Sequence, residues 1–130
     1  MGSDVTSAPT AIPAPSIPAY KPPMQRSCFT AAGACGVLAV ALAAVATHAG
    51  QPVVGSVAML LGWHAPAFMA AGLWGRSALA PVLWGAGLLL FGGALLLRAF
   101  AGLSLGPVAP TGGLLVMAGW LTLAVAAWRR

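Results

Sequence analysis

Four runs of apolar residues, at about 28–49, 53–73, 79–100 and 111–128, are separated by short connections rich in Gly and Pro. Each run is long enough to cross the hydrocarbon core of a bilayer, which takes about 20 apolar residues in a helix. In hydrocarbon every backbone N–H and C=O must find a partner within the segment, so each run can only be a helix. Charged residues make up only 5% of the chain and hydrophobic ones 60%. A soluble domain carries about 25% charged residues, so this surface is unsuited to water. The expected fold class is all-α: a four-helix transmembrane bundle, one domain in 130 residues, with the lipid bilayer as its first partner.

The segment before the first run differs in kind. Residues 1–23 contain six prolines and no apolar periodicity. Such a stretch cannot bury enough surface to offset its ordering entropy, so 1–26 reads as a disordered Pro/Ala-rich tail and 27–130 as the helical domain. Met1-Gly2-Ser3-Asp4-Val5-Thr6 fits the loose myristoylation pattern, a match expected by chance. Ala44-Val45-Ala46 resembles a signal cleavage site, but the apolar core before it exceeds a signal's usual length, so the first helix is expected to be retained.

Small residues recur along the first run at Ala31, Cys35, Ala39, Ala43 and Thr47, a spacing that suggests a face for close helix packing. Gly50-Gln51-Pro52 and Trp74-Gly75-Arg76-Ser77 mark the first two turns. Pro66 removes the hydrogen bond to the Gly62 carbonyl and predicts a kink in the second helix. Pro81 falls in a first turn, where its missing N–H costs nothing. Gly85, Gly87, Gly92 and Gly93 allow close approach to the third helix. Thr111 is the expected N-cap of the fourth helix.

The net charge of +5 comes from six basic residues placed singly or in pairs at segment ends. That pattern points to the positive-inside rule and away from nucleic acid. A cytoplasmic N-terminus puts Lys21, Arg26, Arg76, Arg129 and Arg130 inside and only Arg98 outside. Both termini are therefore expected on the cytoplasmic side of a bacterial inner (plasma) membrane. Tyr20, Trp74, Trp84 and Trp128 would lie near the inner interface, and Trp63 and Trp120 would pack in mid-helix.

The polar inventory of the spans is short: Thr47, His48, Ser56, His64, Arg98, Thr122 and two cysteines. The chain has no Glu and no Asn, and its single Asp, Asp4, lies in the tail. Carboxylate-dyad hydrolysis and Asp/Glu-driven proton coupling therefore lack their reactive groups. Small multidrug transporters are similar only in size, because their membrane-embedded Glu has no counterpart here. His64 is the foremost functional candidate, since a polar side chain in mid-membrane is expensive. His48 and Arg98, near the outer ends of the first and third helices, follow it. The two histidines differ in depth by about 16 Å at 1.5 Å per residue, too far for one haem. Met59, His64 and Met69, at steps of five, point to different faces and do not form a copper set. Cys28 and Cys35 are about 10.5 Å apart along a helix, beyond disulfide reach. No catalytic, cofactor-binding or metal residue is expected, and no cofactor.

From about Gly33 onward the order of features resembles the YgdD/YwdK-like family of small four-helix membrane proteins of unknown function. Phe91-Gly92-Gly93-Ala94-Leu95 resembles that family's third-helix motif. Leu105-Gly106-Pro107-Val108-Ala109-Pro110-Thr111-Gly112-Gly113, followed by Ala118-Gly119-Trp120, is similar to its closing signature. His48 stands where the family has Gly-Ala-His, and His64-Ala65 where it has His-Ala. Leu60 and Leu61 replace the family's frequent Tyr-Gln, and Ala94 and Leu96 its Ser and Tyr. The resemblance implies four helices and an inner-membrane location, and implies no activity.

The function expected from these residues is non-enzymatic: structural or accessory, through packing with a second copy or a membrane-protein partner. The alternative is a small-molecule or ion permeation protein with His64 and the Pro66 kink lining a path.

Overall fold

The computed structural model describes residues 22–129. They form four helices: α1 (Pro22–Ala49), α2 (Pro52–Trp74), α3 (Leu79–Ala101) and α4 (Val108–Trp128), with no strand among the described residues. Each helix is long and apolar enough to cross a bilayer.

The helix starts differ from expectation in two places. Residues 22–26, assigned to the tail, are the first turns of α1; residues 1–21 lie outside the described residues. A helix tolerates Pro in its first turn because those N–H groups have no intrahelical acceptor anyway. The hydroxyls of Ser27 and Thr30 fold back onto the carbonyls of Pro23 and Arg26, each at 2.9 Å, so the polar start of α1 is satisfied within the helix. Likewise, α4 starts at Val108 with Pro107 as its N-cap, and Thr111 is not the cap. Thr111 already donates its N–H to Pro107 O at 3.0 Å, and its hydroxyl donates to the same carbonyl at 2.8 Å. Pro110 sits in that first turn at no hydrogen-bond cost.

The stops obey glycine. Gly75 ends α2 in the left-handed region at φ 63°, returning its N–H to Ala71 O at 3.0 Å. Gly102 ends α3 at φ 67°, with its own N–H and that of Leu103 both directed to Leu97 O. Only glycine takes this backbone without a Cβ penalty. Within α2, the helix continues through Pro66.

α1 packs along α2 and α3 along α4, and these two antiparallel hairpins meet through α2 and α3. The α1–α2 seam is built from small residues. A Cβ on Gly72 would lie 2.8 Å from Cys28 Cβ, one on Gly62 3.7 Å from Ala39 Cβ, and one on Gly55 3.6 Å from Ala46 Cβ. Cys28, Ala32 and Cys35 are buried there, whereas Ala43 and Thr47 of the expected every-fourth ladder are exposed. The reason is helical drift. Steps of four advance 40° per step around a 3.6-residue helix, so that ladder leaves the seam; alternating steps of four and three stay on it.

The α3–α4 contact is closer still. A Cβ on Gly87 would lie 2.7 Å from Gly112 O, and one on Gly112 would collide with the Phe91 backbone N. Across the hairpins, Gly92 lies under Val57, and Phe68 and Trp84 join Ala32, Cys35, Ala71, Ala80, Leu88 and Val116 in one core.

The start of α1, the α2–α3 turn and the end of α4 share one end of the bundle. A hydrogen bond from Arg76 Nη2 to Arg129 O, 3.2 Å, ties the last two together. Arg26 is exposed at this end, and Arg98 is exposed in the last turn of α3 at the other.

Candidate functional site

α2 presents His64 inward, and the ring is buried at 3% exposure. Its Nδ1 lies 2.8 Å from Leu60 O, one turn back on the same helix. Its Nε2 accepts a hydrogen bond from the indole Nε1 of Trp120 on α4, at 3.3 Å. These partners assign the tautomer. A carbonyl can only accept, so Nδ1 carries the proton; an indole N–H can only donate, so Nε2 is bare. Both ring nitrogens are thereby occupied by a neutral imidazole. A second proton on Nε2 would turn Trp120's acceptor into another donor.

Aromatic rings close around this histidine. Trp84 of α3 meets it edge-on at 5.9 Å between centroids and Trp120 at 5.8 Å. The two indoles are 4.7 Å apart and tilted by 48°, and Phe68 stands perpendicular to Trp84 at 5.8 Å. Such edge-to-face pairs suit the ring quadrupoles and contribute about 0.5–1.5 kcal/mol each beyond area burial. Trp84 fits because α4 is notched at Gly119, where a Cβ would sit 2.7 Å from the Trp84 Nε1. That notch has no acceptor to offer, and the buried Trp84 N–H is left without a partner.

Trp84, expected at an interface, is thus the fully buried centre of the core. Trp63, expected to pack inside, is 66% exposed and turned outward. Trp120 does pack as expected, though its outer edge is open. On α2, inward and outward positions are set by 100° per residue: His64 is inward, so Trp63 is not. The same arithmetic separates His64 from Pro66, two residues or about 200° on, which is exposed on the opposite face. The two do not line a common path.

His48 and Arg98 are exposed at the far end of the bundle, away from His64. Met59 and Met69 are exposed on the outside of α2. Cys28 and Cys35 are free and buried against α2. Among the described residues no three His, Cys, Asp or Glu side chains converge. The residues that sequence reasoning left out of the site are Trp84 and Trp120. A signal for them exists in Gly119-Trp120, where a residue that permits close approach precedes a large donor on a packed helix.

Apolar clefts flank the α2–α3 contact. One of about 400 Å3 lies between α1 and α3, lined by residues such as Leu38, Leu61, Leu88 and Gly92. Another of about 390 Å3 lies between α2 and α4, with Trp84 and Trp120 in its wall and Trp74 at its end. Arg76 stands over the Trp74 ring there, 5.4 Å from the centroid.

What this centre can do follows from its groups. It offers no carboxylate, no free ring nitrogen and no accessible nucleophile. It joins α2 to α4 across the two hairpins through a directed hydrogen bond. No protein-family model, no curated protein and no solved structure matches the chain.

Proposed function

We propose that this chain is a multi-pass integral protein of a bacterial inner (plasma) membrane, with both termini cytoplasmic. Its role is structural or accessory and non-enzymatic, exercised by packing against a second copy or a membrane-protein partner. One observation carries this reading. The outward faces of all four helices are apolar, from Val37 and Val40 on α1 to Leu89 on α3 and Leu121 on α4, while His64, the one polar residue buried among the described residues, has both ring nitrogens satisfied. Soluble monomers rarely expose apolar patches beyond a few hundred Å2, so such faces belong in lipid or against another apolar surface. Arginines at 26, 76 and 129 on one end against Arg98 on the other support the orientation. Membership of the YgdD/YwdK-like family is part of the proposal and rests on the motifs from Phe91 to Trp120.

Packing with another helix is supported by glycines that no helix of this chain uses. Gly33 and Gly36 on α1, and Gly85 and Gly93 on α3, have nothing within 4 Å of an added Cβ. Gly33 is exposed and the other three are half-buried, and small residues on a helix surface let a second backbone come close, which is how helices associate in lipid. The test is oxidative cross-linking in native membranes of a Gly33→Cys chain whose Cys28 and Cys35 are replaced by Ala. A cross-linked dimer or a discrete adduct is expected. A chain that stays monomeric, with no adduct from Gly33 or from an equivalent Gly93→Cys variant, loses the basis of this role.

A further inference from the structure

The α2–α4 cleft combines an apolar trough with a cationic mouth. Its walls are Ala67, Ala70 and Ala71 of α2 with Leu123 and Ala127 of α4, and the indoles of Trp84 and Trp120 form its inner end. Ala70 and Ala127 are exposed at the rim, so the trough is open to the side. From Ala127 to Trp120 it runs seven residues, about 10.5 Å along α4. At the mouth, Arg76 lies over Trp74 and donates to the carbonyl of Arg129. The Arg76 guanidinium is thus held at the mouth, and its partner there is a main-chain carbonyl.

No Asp or Glu stands among the described residues to neutralise Arg76, and the chain's only acidic side chain is Asp4. Arg76 gives the protein one of its five N–H donors, and the rest of that planar fork matches a phosphate. The α1–α3 cleft is of similar size and equally apolar, but no basic residue lines it. No basic residue lines the α2–α4 cleft itself either, but Arg76 stands over Trp74, a ring of its wall.

We propose that the α2–α4 cleft binds one anionic phospholipid. The phosphate sits on Arg76, and one acyl chain lies along the alanines down to the two indoles. A zwitterionic headgroup carries its own cation to the same arginine and is disfavoured. This rests on the reading that the helices cross a bilayer with the Arg76 end at the headgroups.

The experiment has two stages. Flotation of the full chain with phosphatidylcholine vesicles after carbonate washing tests the bilayer reading alone. Native mass spectrometry then follows the chain in detergent with equal phosphatidylglycerol and phosphatidylcholine of the same acyl chains. One retained phosphatidylglycerol is expected at about fivefold preference, the effect of one basic residue at an anionic surface. Arg76→Gln should bring the preference close to one. Ala70→Leu should fill the trough and reduce retention, while Ala34→Leu in the α1–α3 cleft should leave it unchanged. Circular dichroism identifies any variant that does not fold, and the remaining ones decide. A chain that floats but retains both lipids equally overturns the proposal while leaving the membrane reading intact. So does a preference that survives Arg76→Gln, because the headgroup then does not sit on that arginine. A dimer that covers the cleft and retains no lipid overturns it as well.

Discussion

His64 has two ring nitrogens, and the bundle supplies one acceptor and one donor in the right places, Leu60 O and Trp120 Nε1. In an apolar core an unsatisfied polar atom is costly, so the pair of bonds turns an expensive residue into a register pin between hairpins. Replacing Trp120 by Phe keeps the ring packing but leaves Nε2 without a donor. The loss expected is about 1 kcal/mol, the usual scale of an interhelical hydrogen bond in a membrane. Reversible unfolding in mixed micelles should show it, with Trp63→Phe unchanged because that ring faces outward. Equal effects from the two variants would mean that the Trp120 bond contributes nothing. The sequence singled out His64 for a sound reason, its burial in an apolar run. It could not show the partner 56 residues away, because which indole meets the imidazole depends on how α4 is rotated against α2.

At the scale of helices, the tightest junction is α3 on α4. Gly112 lies so close to the Phe91 backbone that a methyl group there has no room, and the obstacle is main chain, which cannot swing away as a side chain would. Gly112→Ala should therefore part the hairpin and cost about 2 kcal/mol, the scale of overpacking in a close-packed interior. Gly93→Ala meets nothing within 4 Å and should be neutral or slightly stabilising, since Ala is the better helix former. The same unfolding assay separates them, and similar losses at both positions would contradict the packing described. The helices themselves were legible, because length, apolarity and the Gly and Pro punctuation all act locally. The small-residue seam of α1 was legible only as to residue type. The face it occupies follows from the partner helix, and that selects Cys28, Ala32 and Cys35 over Ala43 and Thr47.

The whole molecule is two hairpins joined along α2 and α3, with apolar faces turned out on every side and arginines gathered at one end. Apolar length and the sidedness of charge are both properties of the sequence, so the four-helix architecture and its proposed orientation could be reached without coordinates. The clefts could not, because they are spaces left between elements and no local pattern encodes them. The most direct test of the account is cysteine accessibility in sealed, oriented inner-membrane vesicles. It would use single cysteines at Gln51, Ser77, Leu89, Ser104 and Met117 in a chain lacking Cys28 and Cys35. An impermeant thiol reagent should reach Ser77→Cys only from the cytoplasmic side and Gln51→Cys and Ser104→Cys only from the opposite side. The Leu89→Cys and Met117→Cys chains should react from neither. Labelling of 51, 77 and 104 from one side, or of 89 and 117 from the aqueous phase, would contradict a bundle of four membrane-crossing helices.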